Sequence, residues 1–181
     1  YVVGAWDVLE HKAALGKRVV VIGGGAVGME TALFIACQGP MSAESAVFVA
    51  LGEGLDAETA VQMVRKGPQV TILEMLDRIG QDMGPTTRSS IRFALRLQGV
   101  KVITRATARR ITEEGVVYER GGKEELAEAD AVVSAMGSKS ESALCEALQG
   151  VVPEVYSIGD CVKARTACEA IEEAALIARK I

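Results

Sequence analysis

Short apolar runs, separated by glycine or polar residues, recur along the chain. Val19–Ile22 is a β-branched run, and comparable runs occur at 70–74, at 100–104 and within 129–137. Runs of this length are typical of strands that are buried on both faces, as in parallel sheets. From Ala26 to about Cys37 the apolar positions fall instead at helical spacing. The alternation predicts an α/β fold built on a parallel sheet with helices on both faces.

The stretch 38–67 interrupts this alternation and carries helix signals of its own. Ser42 is suited to cap a helix that runs to about Leu51, and Asp56 to cap a second helix that runs to about Lys66. A Gly-Pro pair then stops the second helix. We therefore expect a helical insertion between the first and second strands.

The second half of the chain shows three further patterns. Pro85 and Gly99 bracket a helix of about 13 residues. From Thr107 the runs ARRIT, VVYER and KEELAE, separated by turn residues, predict a three-stranded antiparallel meander. Beyond Gly150, EVYSIGD predicts one more strand, and residues 163–180 predict a helix.

Composition narrows the class of protein. The 181 residues suffice for one full α/β domain with a small appendage. A net charge of −4 gives no indication of nucleic acid or a membrane surface as a partner. The apolar stretches are shorter than the roughly 20 residues that cross a bilayer, so we expect a cytoplasmic protein. The four cysteines show neither C-x-x-C nor metal-ligand spacing, which favours reduced thiols and no metal site.

Gly23, Gly25 and Gly28 form G-x-G-x-x-G between a predicted strand and a predicted helix. In a dinucleotide-binding turn, the first glycine permits the tight turn, the second lets the backbone approach a pyrophosphate, and the third lets helix and strand pack closely. The helix N-terminus would then offer its N–H groups and partial positive charge to the phosphates. The same pattern also fits a glycine-rich turn without a ligand.

Glu74, at the end of the second predicted strand, strengthens the interpretation as a nucleotide site. The fingerprint places an acid about 20 residues on, where it accepts a hydrogen bond from a ribose hydroxyl. Here the helical insertion lengthens the interval without moving the end of the strand. A carboxylate would repel a 2′-phosphate, so we expect NADH to bind more tightly than NADPH. Arg78 is the residue that could reverse this preference by pairing with the phosphate.

Several motifs occur together in an order that resembles a known family. They are GGGAVGMETA, VTILEM with Arg78 nearby, the meander, VVSAMGS and VYSIGDCVKARTACEAIEEA. The chain resembles the carboxyl-terminal part of NADH:flavin oxidoreductases of the 2-enoate reductase and 2,4-dienoyl-CoA reductase type, related to old yellow enzyme. These belong to the glutathione reductase-like two-dinucleotide-binding flavoproteins. The resemblance covers nearly the whole chain and implies a Rossmann-like nucleotide-binding domain followed by a segment of a flavin domain.

The resemblance assigns cofactor contacts to individual positions but no catalytic side chain. Gly137 would lie beside the bound nicotinamide nucleotide, and Asp160 would meet the ribityl or phosphate part of FAD. The helix that starts near Arg165 would aim its N-terminus at the flavin ring. The cofactor-binding residues that it implies are Gly23, Gly25, Ala26, Val27, Gly28, Glu30, Glu74, Met75, Arg78, Ala135, Gly137 and Asp160.

The resemblance also divides the chain. Residues 1–14 would be a linker from a missing upstream domain, 15–150 the NAD(H)-binding domain with the insertion at 38–67, and 151–181 part of an FAD-binding domain. The family's first glycine motif, its FMN barrel and its cysteine cluster for a 4Fe–4S centre are not in this sequence, which starts without Met. We expect them elsewhere in a longer polypeptide, with FAD contacted through 158–168 only together with the missing domain.

The expected function is to bind NADH and position its nicotinamide for hydride transfer to FAD, with the isolated fragment inactive. A stand-alone NAD(H)-binding sensor is the alternative, although a sensor does not need IGD followed by a helix. An adenosylmethionine-dependent methyltransferase also uses a glycine-rich turn after its first strand. The antiparallel meander argues against that third interpretation.

Overall fold

The computed structural model describes residues 1–38, 43–64 and 67–181, which form two compact units. The first unit is Tyr1–Met136 and the second is Gly137–Ile181. The first unit ends 14 residues before the predicted boundary at 150, since 150 − 136 = 14. The assignment of each part to a cofactor stays a prediction.

Eight strands lie within the described part of the first unit, in two sheets. Five form a parallel sheet of order β1-β8-β2-β3-β4, and three form the antiparallel order β5-β6-β7. The prediction of a parallel sheet with an added meander is therefore confirmed. The strands are β1 (Val2–Gly4), β2 (Arg18–Ile22), β3 (Gln69–Glu74), β4 (Lys101–Thr104), β5 (Thr107–Ile111), β6 (Gly115–Arg120), β7 (Lys123–Glu128) and β8 (Ala131–Ser134).

The helices of the first unit follow the predicted boundaries closely. Pro85 begins the helix predicted before Gly99, and Gly99 follows that helix with φ 72°. The α-helices of both units are α1 (Ala5–Leu9), α2 (Ala26–Ala36), α3 (Ala43–Glu53), α4 (Ala57–Val64), α5 (Pro85–Leu97), α6 (Ala143–Leu148) and α7 (Ala167–Ala178).

Alternate residues of the central strand β2 face two different cores. Val19 and Val21 pack in a cluster with buried residues of α1, α2 and α5. Val20 and Ile22 pack in a second cluster with buried residues of the meander, among them Tyr118. Because successive strand residues point to opposite faces, one face carries helices and the other carries the meander. The expectation of helices on both faces thus holds for one face, since β5-β6-β7 covers the other.

The insertion forms the two expected helices, α3 and α4. Asp56 caps α4: its carboxylate accepts a hydrogen bond from the Thr59 N–H at 2.7 Å, and this bond lowers the pKa of Asp56. The predicted cap at Ser42 lies outside the described residues. Ala46 and Ala50 are buried on α3, while Phe48 on the same helix is 80% exposed.

Residues 1–14 contribute to the sheet, which a linker would not do. Val2–Gly4 pairs in parallel with Val132–Ser134, and Ala5 and Val8 of α1 are buried in the helical core. The short run of Val2 and Val3 is thus an edge strand. Its signal is only three residues long, which is why the hydrophobic pattern alone did not reveal it.

The prediction of a strand at EVYSIGD is wrong. Residues 154–158 are irregular, and Gly159–Cys161 forms a 3-10 turn. A strand needs a hydrogen-bonding neighbour, and none pairs with this segment among the described residues. The Asp160 carboxylate instead accepts a hydrogen bond from the Arg165 N–H at 3.1 Å, which closes the turn before α7.

Candidate functional site

The glycine-rich turn joins β2 to α2 at the carboxyl edge of the parallel sheet. Ile22 ends β2 beside Leu73 of β3 and Ser134 of β8. The chain leaves β2 for β3 on one side, whereas β8 flanks it on the other. Such a position, outside the carboxyl ends of strands where the chain order changes direction, is where open α/β sheets bind their ligands.

Only glycine fits at two positions of this turn. Gly23 has φ 105°, and a Cβ added there would lie 2.3 Å from the Ala135 carbonyl oxygen. A Cβ added at Gly28 would lie 1.9 Å from the Gly23 carbonyl oxygen. Backbone therefore packs on backbone where the strand meets the helix, as the sequence motif requires of its first and third glycines.

The N-terminus of α2 faces an anion that belongs to the protein itself. Gly25 is the extended N-cap, and the Met29 N–H donates to its carbonyl at 2.9 Å, so the N–H of Ala26 precedes the first intrahelical bond. Both carboxylate oxygens of Asp82 accept from this N–H, at 3.0 and 2.9 Å. The first helical residue thus already holds an acidic group where the fingerprint places a phosphate.

Asp82 is not among the residues that the sequence predicts for the site. Its only signal is an acid inside a short turn, GQDMG, before the helix at Pro85. The fold brings it back to the glycine turn through the Ile79 side chain, which packs over Gly24, and through the Gly80 N–H, which donates to the Gly24 carbonyl at 2.7 Å. These contacts are between residues more than 50 positions apart, so no local pattern reveals them.

Glu74 lies at the same edge and is only 7% exposed. Its Oε2 accepts from the Gly24 N–H at 2.6 Å, and its Oε1 accepts from the Leu76 N–H at 2.7 Å. A buried carboxylate needs such partners, and these two donors fix its orientation. Each oxygen has a further lone pair that can accept another hydrogen bond.

The other predicted residues of the first unit surround the turn unequally. Ala135 lies against Gly23, while Val27 packs against the helical core from α2. Glu30 is exposed in the second turn of α2. The remaining two are exposed in the loop after β3: Met75 is 67% exposed, and the Arg78 guanidinium is 3.7 Å from the Asp77 carboxylate.

Gly137 and Asp160 belong to the second unit. Gly137 is exposed with φ 102°, and in the part of the chain that the structure describes no side chain lies within 4 Å of the position of its absent Cβ. Next to Asp160, the Gly159 N–H donates to the Glu173 carboxylate at 2.7 Å, and Arg165 pairs with the same carboxylate. Both contacts lower the pKa of Glu173, the bond from Gly159 most.

The opposite, amino edge of the sheet holds a different kind of charged group. Arg18 at the start of β2 pairs with Asp130 at 2.7 Å and with Glu128 at 2.5 Å. The guanidinium hydrogen bond lowers the pKa of Asp130, helped by the Arg18 backbone N–H. A cavity of about 700 Å³ opens beside this cluster, lined by Leu15, Gly16, Lys17, Arg18, Gly67, Pro68, Gln69 and Asp130. It lies at the sheet edge away from the glycine turn.

No helix in the described ranges has the length and apolar character to cross a bilayer.

Comparison with known proteins places these features in a family. The family model described as pyridine nucleotide-disulphide oxidoreductase matches residues 5–175. A metal reductase of Desulforamulus reducens is 37% identical over 174 residues, which are 96% of this chain and 26% of that protein. A cinnamate reductase of Clostridium sporogenes is 29% identical over 99% of this chain and 23% of that protein.

A solved structure agrees over almost the whole length. The complex of a 2-naphthoyl-CoA reductase with 2-naphthoyl-CoA superposes with a TM-score of 0.74 at 31% identity, over 99% of this chain and 23% of that one. The chain therefore spans about a quarter of the length of these relatives.

Proposed function

The chain belongs to the pyridine nucleotide-disulphide oxidoreductase family, and on that premise we propose that it is the NADH-binding part of a multi-cofactor NADH:flavin oxidoreductase of the enoate reductase type. Its relatives include reductases of metal, cinnamate and naphthoyl-CoA by name. They are about four times as long, which leaves room for an FAD domain, an FMN barrel and a 4Fe–4S centre elsewhere in one polypeptide.

One observation carries the proposal: the N-terminus of α2 receives an anion at a turn where only glycine fits. The Asp82 carboxylate on the Ala26 N–H is an internal stand-in for a phosphate oxygen. Gly25 has no side chain to obstruct a larger anion at this point. The residues present therefore fit the pyrophosphate of a dinucleotide, held by backbone N–H groups and the helix dipole.

Glu74 is the residue proposed to choose between the two nicotinamide nucleotides. Its fixed, buried carboxylate would accept a hydrogen bond from the 2′-hydroxyl of NADH. The same negative charge would lie against the 2′-phosphate of NADPH, which it would repel. Arg78 could instead attract that 2′-phosphate, but the nearby Asp77 carboxylate already offers its guanidinium a negative charge. We therefore propose a preference for NADH.

The chain's own contribution is to bind and orient, because the cofactors carry the redox chemistry. When bound, the nicotinamide supplies a hydride that FAD accepts. Gly23, Gly25 and Gly28 with Ala26 would hold the pyrophosphate, and Glu74 the adenosine ribose. Residues 158–168, with Asp160, would contact FAD only in the presence of its own domain.

Calorimetric titration of the purified chain with NADH and NADPH tests the proposal. We expect tighter binding of NADH, and a preference that falls by about 10-fold or more in Glu74→Gln, because a charge-assisted bond is replaced. Glu53→Gln, an exposed acid on α3, is the matched control and should keep the preference. Failure to bind either nucleotide, or an unchanged preference in Glu74→Gln, would contradict the proposal.

Hydride transfer requires the longer polypeptide. When this longer polypeptide is mixed anaerobically with NADH, the absorbance of its oxidised flavin should disappear. Binding of NADH with no loss of that absorbance would instead favour the sensor alternative.

A further inference from the structure

The loop that follows β3, residues 75–84, folds back over the glycine turn at three successive points. The Ile79 side chain, 6% exposed, lies 2.5 Å from the position that a Cβ on Gly24 would take. The Gly80 N–H donates to the Gly24 carbonyl at 2.7 Å. Asp82 then places both carboxylate oxygens on the Ala26 N–H. The loop is thus fastened to the turn, with its acid at the end of the helix.

The backbone of the loop is shaped for this return. Gly80 has φ 68°, a conformation that glycine adopts without strain, and it lies against the Met29 sulfur and the Arg88 side chain. No cation pairs with Asp82 within the described ranges, so its charge is met by the helix N-terminus. A carboxylate at this place is favourable because the first N–H groups of a helix are otherwise unpaired.

A phosphate oxygen and the Asp82 carboxylate cannot share the Ala26 N–H. Both are anionic acceptors of the same donor, and two negative charges at hydrogen-bond distance from one N–H repel each other. A ligand pyrophosphate at the glycine turn therefore requires Asp82 to leave. The free energy that Asp82 gains by capping α2 is subtracted from the binding of the nucleotide.

We propose that Asp82 is an internal competitor for the pyrophosphate position, and that it sets the nucleotide affinity of the site by having to be displaced. This inference rests on the proposed function. Without nucleotide, the loop 75–84 is held on the glycine turn by Asp82 among its contacts. When nucleotide binds, the contact of Asp82 with the turn is lost.

Titration with NADH of the wild-type chain and Asp82→Ala tests the competition. Removal of the competitor should tighten NADH binding roughly 3- to 30-fold, the range that corresponds to loss of one helix cap. Asp77→Ala is the matched control, because Asp77 lies in the same loop and carries the same charge but bonds Gln81 instead of α2. It should change the affinity by less than about 2-fold.

Thermal melting supplies a readout that does not depend on affinity alone. Without nucleotide, Asp82→Ala should melt at a lower temperature than the wild type, since α2 loses its cap. With saturating NADH the two should melt at nearly the same temperature, because neither then uses Asp82.

The outcomes separate the inference from the function on which it rests. Unchanged or weaker NADH binding by Asp82→Ala, while the wild type binds, would overturn the competition and leave the proposed function standing. Failure of every variant to bind NADH would overturn both.

Discussion

The two edges of the parallel sheet hold carboxylates in different ways. At the carboxyl edge, Glu74 and Asp82 accept hydrogen bonds from the backbone N–H groups of Gly24, Leu76 and Ala26. At the amino edge, Asp130 and Glu128 share the guanidinium of Arg18, whose backbone N–H also donates to Asp130 at 2.9 Å. Both edges come from the same five strands, so the difference lies in the residues that follow or precede them.

This difference separates a site from a structural contact. The guanidinium of Arg18 is shared by two carboxylates, so this cluster has no positive charge left to attract another anion. A helix N-terminus offers a partial positive charge with no side chain of its own, so the anion on it can be exchanged. The carboxyl edge is therefore suited to a phosphate ligand, and the amino edge to closing the sheet.

The largest expected effect is at the glycine turn. Gly28→Ala should lower the free energy of unfolding by about 2 kcal/mol or more, because its Cβ would meet the backbone of Gly23, which cannot move aside as a side chain can. Gly52→Ala on α3 is the control, since no described atom beyond its own stretch of helix lies within 4 Å of its added Cβ. It should be neutral or stabilising by up to about 1 kcal/mol. Urea unfolding measures both, and equal stability of the two variants would refute the close packing of this turn.

A smaller effect distinguishes the carboxylates of the two edges. Glu74→Ala should cost about 1–3 kcal/mol of unfolding free energy, because the buried Gly24 N–H loses its acceptor. Asp130→Ala should cost less than Glu74→Ala, since its ion pair is partly exposed. Urea unfolding at 0.1 M and 1 M NaCl adds a second test, in which only the Asp130 loss should shrink as salt screens the pair. If the stability loss of Glu74→Ala vanished in 1 M NaCl, it would contradict the view that backbone N–H groups hold this carboxylate.

The smallest effect is a pH dependence at the amino edge. Arg18 lowers the pKa of Asp130 in the folded state, so the carboxylate contributes stability above its unfolded pKa of about 3.9. That contribution is lost as the pH falls through this value toward the folded pKa. In melting experiments between pH 7 and pH 3, Asp130→Asn should therefore lose less stability than the wild type. Glu53→Gln is the control, and an identical decline in wild type and Asp130→Asn would refute the pairing.

Local patterns in the sequence account for much of the fold. The β-branched run before Gly23, the Pro85–Gly99 bracket and the turn residues of the meander predict elements that the structure contains. These signals work because strand burial, helix ends and hairpin turns each depend on neighbouring residues. The prediction of a strand at EVYSIGD failed because a strand also depends on a hydrogen-bonding partner, which no local run of residues reveals.

The candidate site was predictable only in part, for the same reason. Gly23 and Gly28 lie within one short sequence motif, and Glu74 lies at the end of a predicted strand. All three can therefore be recognised from the sequence. Asp82 reaches Ala26 across 56 positions, through a loop whose course is set by the burial of Ile79. The packing of the meander on one face of the sheet is likewise a tertiary contact, which the sequence pattern does not reveal. The pattern therefore predicted helices on both faces.

Amide NMR of the ¹⁵N-labelled chain during titration with NADH tests the central claim most directly. We expect the shifts to concentrate at Gly24, Ala26 and Leu76, whose N–H groups hold the two carboxylates, while the N–H groups of Arg18 and Asp130 stay unchanged. Shifts centred on the amino edge, or none at saturating NADH, would contradict it.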